Sequence, residues 1–245
     1  MLAVLAAGFA AGCINTIIGS GSLITFPTLV AIGYPSVLAN VSNTVGLWPG
    51  SVSGAIGYRR ELSGQRRRVV ILGTASAVGA LVGGVLLLTL PPGVFSAVVP
   101  ILVLLACLLI GVQPWLVRRL AGAGRTDRMG AATVGSFCSA VYGGYFGAAQ
   151  GVILVAILGV VLDEPLQRVN ALKNVLAALD NVTAAVRFVL VSHVAWLAAV
   201  LIAMSSIAGG QVGAAVGRRI PAIVLRWVIV VVGIAVAIFL IVRDH

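Results

Sequence analysis

The sequence predicts an all-α polytopic membrane protein with about eight helical units arranged as two related halves. Three observations lead there. The chain is 60% hydrophobic and only 9% charged over 245 residues, against roughly 25% charged in an average soluble domain. Aspartate, glutamate, lysine and arginine are absent from residues 1–58, 69–117, 129–162 and 188–217, and about 20 apolar residues suffice for one transmembrane helix. Finally, Ala39–Tyr58 (ANVSNTVGLWPGSVSGAIGY) aligns without gaps with Val169–Phe188 (VNALKNVLAALDNVTAAVRF), with identities at Asn40/Asn170, Val45/Val175, Val52/Val182 and Ala55/Ala185. Each copy follows a glycine-rich polar break, NTIIGSGS at Asn15–Ser22 and GGYFGAAQ at Gly143–Gln150. Such internal duplication is common in transporters.

The elements follow in order. Repeat one, residues 1–120, holds a broken segment over 2–33 and helices over 36–57, 69–90 and 94–117, the last two separated by Pro91-Pro92. Repeat two, residues 129–245, holds a broken segment over 129–162 and helices over 166–188, 194–217 and 221–242, with Pro165 and Pro221 suited to first helical turns. The block 129–162 is too long for one straight span and too short for two. Its interruption at Tyr142–Gly147 fits half-helices or a re-entrant hairpin. Irregular backbone at membrane depth must be buried in protein or line a wet cavity, and the same holds for Gly19–Ser22.

A mean hydropathy of +1.15 excludes a soluble fold. The net charge of +10 comes from arginines gathered between apolar blocks, among them Arg59, Arg60, Arg66, Arg67 and Arg68, then Arg118, Arg119, Arg125 and Arg128. Loops of that kind fix topology on the cytoplasmic side and do not indicate nucleic acid. If the broken segments enter and leave on one side, the segments 59–68, 118–128 and 218–219 all become cytoplasmic. The two repeats are then inverted, with the termini outside, in a multi-pass protein of the cytoplasmic membrane. Cys13, Cys107 and Cys138 show neither metal spacing nor a disulfide framework. The first residues resemble a signal peptide, but no positive charge precedes them, which favours an uncleaved first segment.

The candidate site centres on the breaks. A half-helix that starts inside the bilayer presents free N–H groups and a positive dipole end, and both attract anions. Ser20, Gly21, Ser22 and Thr25 lie near one such end, with Asn15 on the preceding half-helix, while Tyr142 and Gln150 occupy the other break. The competing reading is that Gly and Ser serve close helix packing. Asn40, Asn43 and Thr44 are matched by Asn170, Lys173 and Asn174, and the spacing of three sets each Asn40/Asn43 and Asn170/Lys173 pair on one helix face. Lys173, the chain's one lysine, either faces an anionic substrate or snorkels to the cytoplasmic interface. Asp180 is a candidate proton carrier or the partner of Lys173 or Arg187 in an ion pair. Asn181 and Thr183 extend the polar face or bond between helices. His193 is read as interfacial, and Trp48, Trp115, Trp196 and Trp227 as belt residues, with Trp48 beside the cavity as the alternative. No catalytic or metal motif is present, and no cofactor is expected.

Gly8–Leu62 resembles the TauE/SafE family of membrane permeases, the sulfite exporters. The resemblance rests on Gly12, the Gly19–Ser22 break, Pro27-Thr-Leu, Gly33-Tyr-Pro, the run Ala39–Thr44 (ANVSNT) and the exit Gly57-Tyr-Arg-Arg60. It covers about a quarter of the chain strongly. It implies export of a small sulfur-containing anion, such as sulfite, thiosulfate or an organosulfonate like sulfoacetate. One departure is Gly147-Ala-Ala-Gln150, where relatives carry a Gly-Ser-type sequence. The resulting expectation is a secondary transporter whose oxygens are held by Asn15, Ser20, Ser22, Asn43 and Gln150, with Lys173 balancing charge. A passive anion channel is the alternative, and a scaffold or intramembrane enzyme is less favoured. The expected partners are the anion and the bilayer; a homodimer is compatible with the sequence, which leaves the oligomeric state open.

Overall fold

The computed structural model describes residues 1–121 and 127–216. Among them every regular element is helical: α1 (Leu2–Ile17), α2 (Ser22–Ala31), α3 (Ser36–Gly57), α4 (Arg66–Thr89), α5 (Pro92–Ala121), α6 (Met129–Tyr145), α7 (Gln150–Val161), α8 (Leu166–Val191) and α9 (Trp196–Val216), with one 3-10 turn at Arg59–Leu62. Both broken segments appear as half-helix pairs, α1–α2 and α6–α7. The helix expected over 221–242 lies outside the described residues. α3 matches its expected bounds, while α4 starts at Arg66, so the arginines 66–68 form its first turn and not a loop.

Among the described residues four helices, α4, α5, α8 and α9, are long and apolar enough to cross a membrane by themselves. The 22-residue α3 has similar length but dilutes its hydropathy with Asn40, Ser42, Asn43 and Thr44, all buried. The molecule is inside-out in polarity. Leu2, Met204 and Leu190 stand 65–84% exposed while Asn43, Lys173 and Thr25 are fully buried. That distribution suits a hydrocarbon solvent, where polar groups seek one another.

Glycine contacts set the helix directions. Gly8 and Gly12 of α1 touch Ile202 and Ser206 of α9, and Gly46 and Gly50 of α3 touch the same two residues, so α1, α3 and α9 run parallel. Gly79 and Gly83 of α4 lie on the carbonyls of Phe137 and Val141 of α6, and Gly73 and Gly84 on Leu179 and Phe188 of α8, so α4, α6 and α8 run parallel as well. α3 and α8 are antiparallel, since Ser51 meets Asn181 and Tyr58 clusters with Ala171. Helices matched in sequence therefore point in opposite directions. The α6–α7 pair starts and ends at one end of the bundle, where Arg128 N–H donates to Val161 O (2.8 Å).

The long helices that follow α3 and α8 are exchanged. α9 packs on α1 and α4 packs on α6, so each long helix lies against the broken segment of the other half. Close approach depends on Gly79-x3-Gly83 and Gly209-x3-Gly213, glycine pairs that let backbones touch. Arg59, Arg66–Arg68, Arg128 and Arg168 gather at one end of the bundle. There Arg68 bonds Glu164 and, at 2.8 Å, Asp127, and Arg168 reaches Glu164 at 2.9 Å.

A Cβ at Gly83 would strike the Val141 carbonyl and come within 2.8 Å of Tyr145 N, whereas Gly130 has nothing within 4 Å. Gly83→Val should therefore lower stability by about 3 kcal/mol, at the upper end of overpacking costs. Gly130→Ala should stay within about 0.5 kcal/mol of wild type, as surface changes do. Thermal unfolding of the purified protein in detergent checks this, and equal midpoints for the two variants would contradict the α4–α6 contact.

Candidate functional site

The two breaks meet backbone to backbone. Gly151 N–H donates to Gly19 O (3.0 Å), and a Cβ on either glycine would collide with the other residue. Gly19 has φ +90, and Ala149, 130 positions later in the register that pairs Ala39 with Val169, has φ +59. The same left-handed kink is thus built once with glycine, which adopts it freely, and once with alanine, which adopts it at a cost. Among the described residues Ala149 is the one non-glycine with positive φ.

Ending α1 and α6 inside the bundle leaves their last carbonyls without helical partners. Side chains from the opposite half supply them. Lys173 of α8 donates from Nζ to Asn15 O (3.2 Å) and Thr16 O (3.1 Å) at the end of α1. Asn40 of α3 donates from Nδ2 to Tyr145 O (2.9 Å) at the end of α6. Asn15 and Tyr145 are equivalent in the 130-residue register, so both halves close the same position. Lys173 does so from one turn further along than Asn40, with its longer side chain. Asn170, the sequence match of Asn40, stays half-buried near the start of α8 and makes no hydrogen bond to the breaks. The structure thus corrects the interfacial reading of Lys173: it is fully buried on the carbonyl end of α1. A cation there also suits the negative end of the helix dipole.

The opposite, N-terminal ends of α2 and α7 differ in equipment. At α2, Asn43 accepts from Thr25 Oγ1 through Oδ1 and donates from Nδ2 to Ser22 Oγ (3.1 Å). Ser22 lies beside Gly147 of the other break. Ser20 is 1% exposed and its hydroxyl has no partner. At α7, Gln150 donates from Nε2 to Asp180 Oδ2, and Ser76 of α4 lies against the same carboxylate. Asp180 Oδ1 and Ser76 Oγ keep no hydrogen bond. Among the described residues no ion pair joins Asp180 to Lys173 or Arg187, which corrects that expectation. Lys173 is occupied by the α1 carbonyls, and Gln150 reaches Asp180 first.

Of the remaining expected residues, Tyr142 closes the second break by donating to Ala148 O (2.6 Å). Gly21 caps α2 and is packed on Ala11 O and Asn15. Thr44 bonds within its own helix to Asn40 O (3.0 Å), and Asn174 is buried with Nδ2 unpaired. Trp48 and His193 are both exposed at the bundle's outer surface. Reading the sequence missed Ser51 and Ser76. Ser51 Oγ accepts from Asn15 Nδ2 (2.9 Å) and Asn181 Nδ2 (3.2 Å), joining α1, α3 and α8. The signal was available, because Ser51 aligns with Asn181 in the repeat and the two meet where matched helices cross.

An aromatic cluster stands on the far side of the breaks from the arginines. Phe26 meets Phe146 edge-on at 5.4 Å, and Phe95, near the start of α5, meets Tyr145 at 5.5 Å. Such contacts stiffen the packing of α2 and α5 on the end of α6.

Comparison with known proteins adds the relationship. The family described as Sulfite exporter TauE/SafE matches residues 4–240. A probable membrane transporter protein, ORF9, of Sinorhizobium sp is 27% identical over 238 residues, covering 95% of this chain and 88% of its own. A probable membrane transporter protein of Haemophilus influenzae is 26% identical over 87% of this chain and 84% of its own length. The probable membrane transporter protein YfcA of Escherichia coli K12 is 28% identical over 83% and 75%. No solved structure matches. With the family matched from residue 4 to residue 240 and the paired half-helices in place, this multi-pass helical membrane protein belongs to the TauE/SafE family.

Proposed function

We propose that the protein is a secondary transporter that exports a small sulfur-containing anion, sulfite or an organosulfonate such as sulfoacetate, across the cytoplasmic membrane. The transporter class is supported by the family and by the relatives' names. The observation that carries the anion is the unequal treatment of the helix ends at the crossing. The negative ends of α1 and α6 are closed by Lys173 and Asn40, while the positive end of α2 keeps a buried, unpartnered Ser20 hydroxyl beside Ser22 and Asn43. Uncompensated positive potential with free donors is what an oxyanion satisfies. The α7 end already faces Asp180, so the anion belongs at α2.

The closed Gly19–Gly151 crossing favours alternating access over an open channel. An anion leaving a cell that is negative inside gains about 2.3 kcal/mol per charge per 100 mV, so export can run on the potential. Asp180, buried with no counter-charge among the described residues, is the group we assign to proton coupling.

The test is uptake of labelled sulfite into proteoliposomes under a positive-inside potential, with thiosulfate, sulfoacetate, taurine and sulfate as competitors. Saturable uptake that supports counterflow is expected; uptake that neither saturates nor exchanges would indicate a channel, and none at all from folded protein would remove the anion reading. Ser20→Ala removes a hydroxyl that bonds nothing among the described residues. It should leave the unfolding midpoint unchanged and raise KM roughly tenfold, the value of one hydrogen bond to a charged ligand. An unchanged KM would place the anion elsewhere. An imposed pH gradient should alter the wild-type rate and leave Asp180→Asn unaffected; a wild-type rate indifferent to the gradient removes Asp180 as a carrier.

A further inference from the structure

We infer that the anion enters from the cytoplasmic face through an arginine-lined mouth at the end of the α3–α9 seam, where Arg59 and Arg60 take its oxygens before it moves to the crossing. This entrance rests on the anion-transport reading above. A cavity of about 240 Å3 opens there, lined by Gly57, Arg59, Arg60, Gln211, Ala214 and Ala215.

Two features separate this mouth from a basic loop that serves topology alone. The neighbouring Arg68 and Arg168 are tied to Asp127 and Glu164, whereas Arg59 and Arg60 are exposed and join no ion pair among the described residues. Adjacent guanidinium groups facing a cavity match an oxyanion, which they grip with paired N–H donors. The second feature is a polar line from the mouth inward. Gln211 of the lining donates from Nε2 to Ser53 O (3.0 Å) and Oγ (2.9 Å). Two residues deeper on α3, Ser51 holds Asn15 and Asn181, and Asn15 carries the carbonyl bound by Lys173. α1, α3 and α9 contain no Asp or Glu, so no negative side chain on them repels an anion along this line. Beyond the breaks the aromatic cluster of Phe26, Phe95 and Phe146 replaces polar groups.

The prediction is sided. In oriented vesicles of the full chain, Arg59→Gln/Arg60→Gln should raise the half-saturating sulfite concentration about tenfold from the cytoplasmic side, the value of one lost charge-assisted contact. From the outer side it should remain unchanged. The rise should shrink in about 0.5 M salt, where the screening length falls to a few ångströms. Arg59→Lys/Arg60→Lys keeps the charge without the fork and should fall between the two. No rise, or an equal rise from both sides, overturns the entrance, the first leaving the arginines to topology and the second to the fold. A rise present in phosphatidylglycerol liposomes and absent in pure phosphatidylcholine overturns it in favour of a lipid headgroup. If folded wild type moves no sulfite from either side, the anion reading itself fails and the entrance with it.

Discussion

A helix that stops in the middle of a bilayer leaves backbone groups that no solvent can satisfy, and each one costs several kcal/mol in hydrocarbon. Two helices stop here, and the architecture resolves both at one place. Gly151 N–H closes Gly19 O, Lys173 closes Asn15 O and Thr16 O, Asn40 closes Tyr145 O, and Tyr142 Oη closes Ala148 O. Apart from the Tyr142–Ala148 bond inside the second break, each closure comes from the other half. The crossing could not exist with a side chain at Gly19 or Gly151, and the glycine seams of α4 with α6 and α9 with α1 bring the rest of the bundle close enough to hold it.

From that constraint the electrostatics follow. Carbonyl ends accept donors, so they can be closed by an amide or an ammonium brought from a neighbouring helix. Amide ends need an acceptor, and the two halves answer differently. At α7 a carboxylate is available through Gln150, because Asp180 stands where the first half has Gly50. In the first half the space beside Gly50 is taken by Ser206 of α9, and position 50 brings no acid. One end thus carries its own negative charge and the other is left with hydroxyls and an asparagine. The two ends differ at several matched positions, Ser20 against Gln150 and Gly50 against Asp180 among them, and one half carries a carboxylate where the other has none.

Much of this could be read from the residues. Charge-free blocks gave the helices, and the glycine clusters gave both breaks, because only special backbone needs such composition at membrane depth. α3 was recovered over its full extent since Pro35 and Tyr58 frame it. The partners of the side chains were harder. Lys173 looked equally suited to a cavity or an interface because sequence position does not tell which neighbouring carbonyls lack donors. For Asp180 the sequence offers a proton carrier or an ion pair with Lys173 or Arg187 on its own helix, while the partner in the structure, Gln150, lies on another. The exchange of α4 and α9 was also hidden, although Gly79/Gly83 and Gly209/Gly213 recur in the same 130-residue register as the aligned helices.

That exchange constrains how the protein could move. Rocking one sequence repeat against the other would have to shear α4 from α6 and α9 from α1, the seams where glycines bring backbone onto backbone and where the packing is least deformable. Motion is cheaper between groups that stay internally packed: α1 with α3 and α9, against α6 with α4 and α8. The contacts between those groups are the packing of α3 on α8, the glycine crossing, the Ser51–Asn181 bond and the two carbonyl closures by Asn40 and Lys173. Lys173 and Asn40 each sit in one group and hold the broken helix of the other. An anion held at α2, as proposed, would sit beside the Gly19–Gly151 crossing, one of the contacts that has to break for the groups to part, and could bias the equilibrium between two states by its own contacts.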